Sequence, residues 1–263
     1  MTEIDLAAQA RITRHIAETI GARTAQVSAA VALLDEGATV PFIARYRKEV
    51  TGGLDDTQLR NLQELLIYGR ELEERRAAVI ASVEEQGKMT EELRQAFEAA
   101  DTKQRLEDLY LPYKPKRKTR AQAAVAAGLE PLADKLWKNP GLDPQAEAQA
   151  FVSADKGVAD TKAALDGARD ILAERFAENA DMLEMLRAWL WKHAFIVSSV
   201  DEAKKATPEA ANFRDYFDYS EALNEVASHR ALALFRGRQE GVLTLKMLLT
   251  EEEEAVYRRG RNA

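Results

Sequence analysis

A short basic segment between two predicted helices carries the least ordinary chemistry in this sequence. The nine residues Pro112–Arg120, called here the basic strap, contain five cations and no acid: Lys114, Lys116, Arg117, Lys118 and Arg120. Pro112, Tyr113 and Pro115 favour an extended backbone, because proline fixes its own φ and biases the preceding residue away from helix. A semi-rigid row of cations predicts contacts with phosphates.

Phosphate contacts of this kind predict low sequence specificity, since they position a strand without reading its bases. If all five cations met phosphates of a single strand, binding would show a salt slope of roughly −3.5, from about −0.7 per phosphate. The alternative is a solvated loop. The interleaved prolines and Tyr113 favour a binding site, because they fix the spacing of the charges and offer a stacking surface.

A second basic segment lies near the N-terminus, within residues 39–56. Three cations alternate there with three apolar side chains: Arg45, Arg47, Lys48, Phe42, Ile43 and Tyr46. Two interpretations are open. Either the cations are candidate contacts for nucleic acid, or they lie over a core formed by Phe42 and Tyr46 or pair with acids of the next helix.

Rings and arginines in the C-terminal half give weaker candidates. Four rings have the chemistry to stack on bases, although their spacing is also typical of a helix core: Phe213, Tyr216, Phe217 and Tyr219. Three arginines have the same two interpretations as the N-terminal cations: Arg230, Arg236 and Arg238.

No set of residues predicts catalysis. The three histidines, His15, His193 and His229, lack the spacing of metal ligands, and the absence of cysteine removes thiolate sites. The sequence has neither a glycine-rich phosphate loop ending in Lys-Ser/Thr nor a G-x-S-x-G motif. Paired acids such as Asp55 and Asp56 stand at predicted helix starts, where capping explains them. We therefore expect a non-enzymatic protein with no catalytic residue, no metal and no cofactor.

Composition limits where nucleic acid could bind. The 263 residues are 46% hydrophobic, which is enough for a core, and the formal net charge is −7. An acidic chain does not coat nucleic acid over its whole surface, so the contact must be local. The absence of cysteine, of a signal peptide and of an apolar run of roughly 18 residues predicts a soluble cytoplasmic protein with no membrane partner.

Helices must position these segments. Abundant Ala, Leu, Glu, Arg and Lys predict helix almost throughout. A long helix begins at Asp55 or Asp56, a second at Thr90 and a third at Asp101, and the third ends at Pro112. Three helices joined by short turns have the outline of a helix-turn-helix unit.

One strand is predicted near the C-terminus. Residues 243–247 alternate with a period of two, whereas residues 198–211 are predicted as loop and Ser220 and Ser228 as helix caps. A single strand is not stable alone, so it pairs either with an extended neighbour in the chain or with a continuation of the chain.

The predicted fold class is all-α. We expect a multi-helix bundle that contains a helix-turn-helix-like unit, with one short β element near the C-terminus. The helix-turn-helix-like unit with the basic strap spans 56–119, and the remaining helical region is discontinuous, 1–55 and 120–263. Amphipathic helices are predicted at 160–178 and 181–194.

Three stretches of the sequence resemble a known family. They are PFIARYRKEVTGGLDD at 41–56, DLYLPYKPKRKTRAQAAVAAGLEPLA at 108–133 and DYFDYSEALNEVASHRALALFRGRQEGVL at 215–243. In this order they resemble the Tex family of bacterial transcription accessory proteins, over essentially the whole chain. The third stretch has Ala227 where family members often have proline, which alters only a helix start.

The resemblance implies nucleic-acid binding, notably of single-stranded RNA. In the family, a helical N-terminal region with a helix-turn-helix-like unit precedes a nuclease-fold domain, a helix-hairpin-helix module and an RNA-binding OB-fold domain. This sequence would match only the first region, and the resemblance transfers no catalytic residue. The candidate contacts are the cations inside the matching stretches: Arg45, Arg47, Lys48, Lys114, Lys116, Arg117, Lys118 and Arg120.

Two hypotheses follow for function. The leading one is a non-enzymatic segment of a Tex-like protein that binds single-stranded RNA or DNA through phosphates with low specificity. The rival is a protein-binding scaffold that docks downstream domains or the transcription machinery, with the basic segments packed on acidic partner surfaces. A nuclease-associated role is a third hypothesis, to which this chain contributes no chemistry.

Overall fold

The computed structural model describes residues 6–250, and the chain divides into two compact units. Unit 1 is Met1–Glu178 and unit 2 is Asn179–Ala263. Helices make up most of the described chain, and a small three-stranded sheet lies in unit 2. The all-α fold class is therefore confirmed, with a sheet larger than the single β element expected. The predicted unit 56–119 lies within unit 1.

The regular elements described in unit 1 are helices, apart from an isolated β-bridge between Ser153 and Val158. Its helices are α1 Leu6–Ile20, α2 Thr24–Asp35, α3 Val40–Tyr46, α4 Asp56–Glu85, α5 Glu91–Ala99, α6 Lys103–Tyr110, α7 Arg120–Ala126, α8 Glu130–Lys138, α9 Pro144–Ala148 and α10 Thr161–Ala177. Short 3₁₀ turns occupy Leu111–Tyr113, Gln149–Phe151 and Ala154–Lys156.

The first four helices pack around one apolar core. Five side chains are fully buried at its centre: Ile16, Val27, Ile43, Leu59 and Leu62. Helix α1 approaches α4 closely at Gly69, where a Cβ would lie 3.1 Å from the side chain of Ile12. The same core fixes α3 in place, because α3 contributes Val40 and Ile43 to it.

Side-chain caps set the starts of α4, α5 and α6. Asp55 caps α4 and Thr90 caps α5, as predicted. The cap of α6 was predicted at Asp101 and is Thr102, whose Oγ1 accepts a hydrogen bond at 3.1 Å from the backbone N–H of Arg105. The helix begins one residue later than predicted because either hydroxyl or carboxylate can cap a start, and tertiary packing selects between neighbours.

A buried arginine holds the α5–α6 turn onto α4. Arg76 Nε donates to the carbonyl oxygen of Phe97 at 3.0 Å, and Nη2 donates to that of Ala100. Its Nη1 donates to Glu73, which also accepts from Arg11. The two carbonyls lie at the end of α5, where a helix leaves its last acceptors open. Arg76 therefore hydrogen-bonds the open carbonyl groups at the end of α5. These bonds fix the turn between α5 and α6, the helix that precedes the strap.

The second half of unit 1 packs around α10. Leu132, Ala164 and Ala168 are buried in its core, together with Leu129. A Cβ at Gly167 would lie 2.4 Å from Leu129 Cδ1, so only glycine permits this packing of α10. Helix α7, which follows the strap, contributes Ala121 and Ala124 to the same core. Those contacts place the end of the strap beside α10.

Unit 2 combines helices with the sheet. Its elements are α11 Ala180–His193, β1 Phe195–Val200, a 3₁₀ helix Glu209–Tyr216, β2 Asp218–Ala222, α12 Ser228–Gln239 and β3 Leu243–Leu248. The strand order is β2-β1-β3, and both pairs are antiparallel. A Cβ at Gly237 would lie 2.6 Å from Leu243 Cδ1, which shows how closely α12 packs on β3.

The predicted strand at 243–247 is confirmed, and its partner lies in the same chain. Residues 198–200 were predicted as loop and Ser220 as a helix cap, and both predictions were wrong because these residues lie in β1 and β2. Short strands of this kind are stabilised by long-range pairing, which local pattern does not reveal. The prediction of Ser228 as a helix cap was wrong by one position, because Ser228 is the first residue of α12 and the N-cap is Ala227.

The ring cluster near residue 215 belongs to the core of unit 2. Phe213 is buried, and three more rings pack against the same core: Tyr216, Phe217 and Tyr219. The core interpretation of these residues is therefore the one that the structure supports.

Candidate nucleic-acid interface

The N-terminal basic segment is built on the short helix α3 and the turn that follows it. Pro41 stands in the first turn of α3, where its fixed φ suits a helix start. Val40 and Ile43 point into the core, Ala44 packs against its edge, and Phe42, Arg45 and Tyr46 are exposed. The helix is thus anchored on one side and presents its other side to solvent.

The cations of this segment have no carboxylate partner. Arg45, Arg47 and Lys48 are all exposed, and within residues 6–250 no carboxylate lies at ion-pair distance from any of them. The acids that open the next helix are otherwise engaged. Asp56 pairs with Arg60 at 2.7 Å, and Asp55 caps α4. Pairing with the following helix therefore does not account for these three charges.

Two exposed rings accompany the cations. Phe42 is 42% exposed and Tyr46 is 58% exposed, so neither forms a core. The guanidinium carbon of Arg47 lies 5.6 Å from the centroid of Phe42, and that of Arg45 lies 6.0 Å from the centroid of Tyr46. These distances are within the range of cation–π attraction. The arginines lie over exposed rings and not over a buried core.

A glutamine from α2 clamps the turn after α3. Gln26 Nε2 donates to the carbonyl oxygens of Thr51 at 3.2 Å and Gly52 at 2.9 Å. Gly52 has φ of 61°, in the left-handed region that favours glycine. The side chain of Arg23 lies at this turn, with Nη2 3.4 Å from the Cβ position of Gly52. Sequence reasoning missed Gln26 and Arg23, because they belong to another helix and no local spacing marks them.

The basic strap joins α6 to α7 without regular structure after its first turn. Pro112 and Tyr113 lie in a 3₁₀ turn, where Gln86 Nε2 donates to the carbonyl oxygen of Tyr113 at 2.9 Å. Lys114 has φ −63° and ψ 127°, which is extended backbone. Thr119 is the N-cap of α7, and Arg120, the last residue of the strap, is the first residue of that helix. The extended conformation predicted for the strap therefore begins at Lys114.

Acids of α10 hold part of the strap. Asp170 and Glu174 of α10 and its C-cap residue Glu178 recur every four residues, so they lie on the same side of that helix. Lys116 Nζ pairs with Glu178 and lies 4.0 Å from Glu174 Oε1, and the Lys116 side chain is only 22% exposed. Arg120 Nε lies 3.8 Å from Asp170 Oδ2, but its side chain is 88% exposed. Lys116 thus docks the strap on α10.

Three strap cations stay available. Lys114, Arg117 and Lys118 are exposed, and no ion pair involves them within the described part of the chain. The pKa of Glu107 is lowered mainly by the hydrogen bond that Arg75 donates to it, and the charge of Lys114 lowers it further. Lys114 therefore acts on a nearby acid at a distance while its ammonium group remains in solvent.

The weaker candidates are paired within unit 2. Arg230 Nη1 lies 2.9 Å from Glu221 Oε1, and Arg236 Nε lies 2.8 Å from Glu240 Oε1. Across residues 6–250, no three His, Asp or Glu side chains are grouped so that they could hold a metal ion. None of the helices described combines the length and the apolar character that crossing a membrane requires.

Comparison with protein families identifies two matching regions. The model described as the Tex-like protein N-terminal domain matches residues 10–84, and the model described as Tex central region-like matches residues 139–262. The first match contains α3 and its cations, and the strap lies between the two matches.

Individual relatives are considerably longer than this chain. Protein YhgF of Escherichia coli (strain K12) is 64% identical over 234 residues, which cover 89% of this chain and 30% of the relative. The transcriptional accessory protein Tex of Neisseria gonorrhoeae is 56% identical over 236 residues, 90% of this chain and 31% of the relative. The human S1 RNA-binding domain-containing protein 1 is 32% identical over 227 residues, 84% of this chain and 22% of the relative. The chain therefore spans less than a third of the length of each of these relatives.

Proposed function

Because the chain belongs to the Tex family of transcription accessory proteins, we propose that it is a non-enzymatic segment that binds nucleic acid through phosphates. The ligand is RNA or DNA, and the binding has low sequence specificity, because phosphate contacts do not read bases. Two relatives support this proposal, since one is named for transcription and the other for an RNA-binding domain.

The observation that carries the proposal is a set of cations without partners in an acidic chain. The formal net charge is −7, and about half of the surface arginines and lysines described in unit 1 pair with carboxylates, as Arg70 does with Asp35 at 2.7 Å. Six cations in the two basic segments have no such partner among the described residues: Arg45, Arg47, Lys48, Lys114, Arg117 and Lys118. A polyanion can neutralise these charges without breaking an internal ion pair.

The long helix α4 separates the two basic segments. Ile43 of α3 packs with Leu59 and Leu62 near the start of α4, and Gln86 at the end of α4 contacts the strap. At 1.5 Å of rise per residue, the length of helix between these points is roughly 40 Å. A stacked strand that touches both segments must therefore be about 12 nucleotides long, counting 3.4 Å per nucleotide, and a strand with unstacked bases can be shorter.

Salt-dependent binding tests the proposal. We expect labelled strands of about 20 nucleotides to bind, with a salt slope near −4 between about 50 and 200 mM salt if six phosphates are neutralised. Scrambling the base sequence should leave the affinity unchanged. Replacing all six free cations by glutamine should remove most of the binding.

Two outcomes would contradict nucleic-acid binding through phosphates. Absence of binding by the wild-type chain at the lowest salt would contradict the proposal. Binding with no salt dependence would contradict it too, because phosphate contacts release counterions.

A protein-docking role is the second candidate function, and exposed apolar side chains of unit 2 favour it. On α12, Leu232 is 70% exposed and Phe235 is 54% exposed. Under this candidate, purified RNA polymerase binds the wild-type chain and binds the L232S/F235S variant more weakly. Equal binding by both proteins, or none by either, would contradict it.

A further inference from the structure

Helix α3 exposes two aromatic rings, and contacts with phosphates alone would not require them. Phe42 and Tyr46 lie one helical turn apart, and their ring centroids are 5.5 Å apart with an angle of 47° between the planes. Large aromatic side chains usually bury their area in a core. On α3 that place is taken by Ile43, and the two rings stand in solvent instead.

Each ring has a free cation beside it. Arg47 lies over Phe42 and Arg45 over Tyr46, and neither arginine pairs with a carboxylate in residues 6–250. A nucleotide has a flat base and a charged phosphate joined by a sugar. The surface of α3 therefore pairs the two kinds of group that a nucleotide can contact at once.

We infer that the α3 surface, consisting of Phe42, Arg45, Tyr46, Arg47 and Lys48, is a binding site for single-stranded nucleic acid. Bases stack on the two rings while neighbouring phosphates meet the cations. The base faces of a duplex are covered by the adjacent base pairs, so only a strand with unstacked bases can use the rings. This inference rests on the proposed function and adds the two stacking side chains and the mode of contact.

The backbone beneath the α3 surface is fixed before any strand arrives. Ile43 is fully buried in the core of unit 1, and Gln26 holds the turn at Thr51 and Gly52. A site that is already ordered loses little conformational entropy on binding, which favours affinity. An acidic protein segment without aromatic or arginine side chains would meet the cations equally well, but it would give the rings no flat partner.

An abasic strand separates stacking from phosphate contact. The probes are a labelled oligouridylate and an abasic oligonucleotide of the same length, which keeps the phosphates and lacks the bases. The variant F42L/Y46L removes both rings and keeps all three cations. The matched control is F235L, which removes an equally exposed ring from α12.

We expect F42L/Y46L to weaken oligouridylate binding by about tenfold for each ring removed, since stacking on an aromatic side chain contributes this much per base. Its affinity for the abasic strand should stay at the wild-type value, and F235L should change neither. If F42L/Y46L binds oligouridylate as tightly as the wild type, the inference is overturned while the proposed function stands. If the wild-type chain binds neither strand, both are overturned.

A second variant keeps the test independent of how well F42L/Y46L folds. In Y46W a larger ring replaces the more exposed one, so oligouridylate should bind at least as tightly and should quench the fluorescence of the added tryptophan. The abasic strand should not quench it. Equal quenching by both strands would overturn the inference, because it would show that no base reaches the ring.

Discussion

The two basic segments look alike in the sequence and differ in what surrounds them. On α3 the three cations are exposed and have no carboxylate partner among the described residues. In the strap, Lys116 is largely covered by its ion pair with Glu178, and Arg120 approaches Asp170. The difference originates in α10, whose acids repeat at helical spacing along the strap.

The charge that a segment can offer to a ligand is therefore smaller than its number of cations when some of those cations already pair with the chain's own acids. A lysine that already pairs with its own chain must lose that partner before it can bind a phosphate. The five strap cations would give a slope of about −3.5 if all met phosphates of a single strand, whereas the three free ones give about −2. The strap therefore offers no more free charge than the shorter α3 segment.

Reversing the charge of the unpaired cations should have the largest effect on the affinity for single-stranded nucleic acid. The variant R45E/R47E/K48E should weaken binding of single strands about 100-fold at low salt, because three phosphate contacts are lost and repulsion replaces them. Fluorescence anisotropy with a labelled strand measures the change.

The matched variant reverses the three free strap cations: K114E/R117E/K118E. It should weaken binding by a similar factor if free charge is what counts. Wild-type affinity in either variant would show that the reversed segment does not contact the strand.

Replacing Lys116, the paired lysine of the strap, should give the next largest effect, and this effect should appear in local stability and not in binding. In K116M the ion pair with Glu178 is lost, and Glu174 and Glu178 are left to repel each other. We expect the free energy of local unfolding to fall by about 1 kcal/mol. Hydrogen exchange of the α7 and α10 amides measures it.

Lys118 provides the control, since it has the same charge two residues away. K118M should leave exchange within about 0.5 kcal/mol of the wild type, as for most exposed substitutions. Equal destabilisation by both variants would contradict the assignment of Lys116 as the residue that docks the strap.

Acid titration should give the smallest effect. The hydrogen bond from Arg75 and, after it, the charge of Lys114 lower the pKa of Glu107 in the folded protein. Ionised Glu107 therefore stabilises the fold at neutral pH, and this contribution is lost as the pH falls below the ordinary value of 4.5 toward the lowered pKa. E107Q should make stability less dependent on pH in that acidic range.

The strap's share in this titration can be measured separately. K114M should raise the pKa of Glu107 only slightly, because Arg75 remains, and carboxyl NMR titration resolves the change. A pKa of Glu107 that rises as much in K114M as it does in R75M would contradict the order of these two causes.

Local features of the fold were predictable, whereas long-range ones were not. The caps Asp55 and Thr90 follow from side chains next to the helix they begin, so spacing in the sequence identifies them. The strand at 243–247 has its own period of two. Its partner β1 lies more than forty residues earlier, and only pairing across the sheet makes β1 a strand.

The same limit applies to the candidate site. The sequence shows where cations cluster, and their solvent exposure follows for most of them. It does not show that Lys116 meets Glu178, because that ion pair depends on how α7 packs on α10 through Gly167 and Ala124. The exposure of Phe42 was also hidden, since an apolar residue beside Ile43 is equally typical of a core.

A charge-matched salt titration tests the central claim most directly. One variant, R45Q/R47Q/K48Q, removes three free cations from α3. The other, R60Q/R70Q/R94Q, removes three arginines that already pair with Asp56, Asp35 and Glu84. Both variants lose the same formal charge. We predict that the first lowers the magnitude of the salt slope for a single strand by about 2 and that the second leaves it at the wild-type value. An equal change in both variants would contradict the account, because net charge and not unpaired cations would then govern binding.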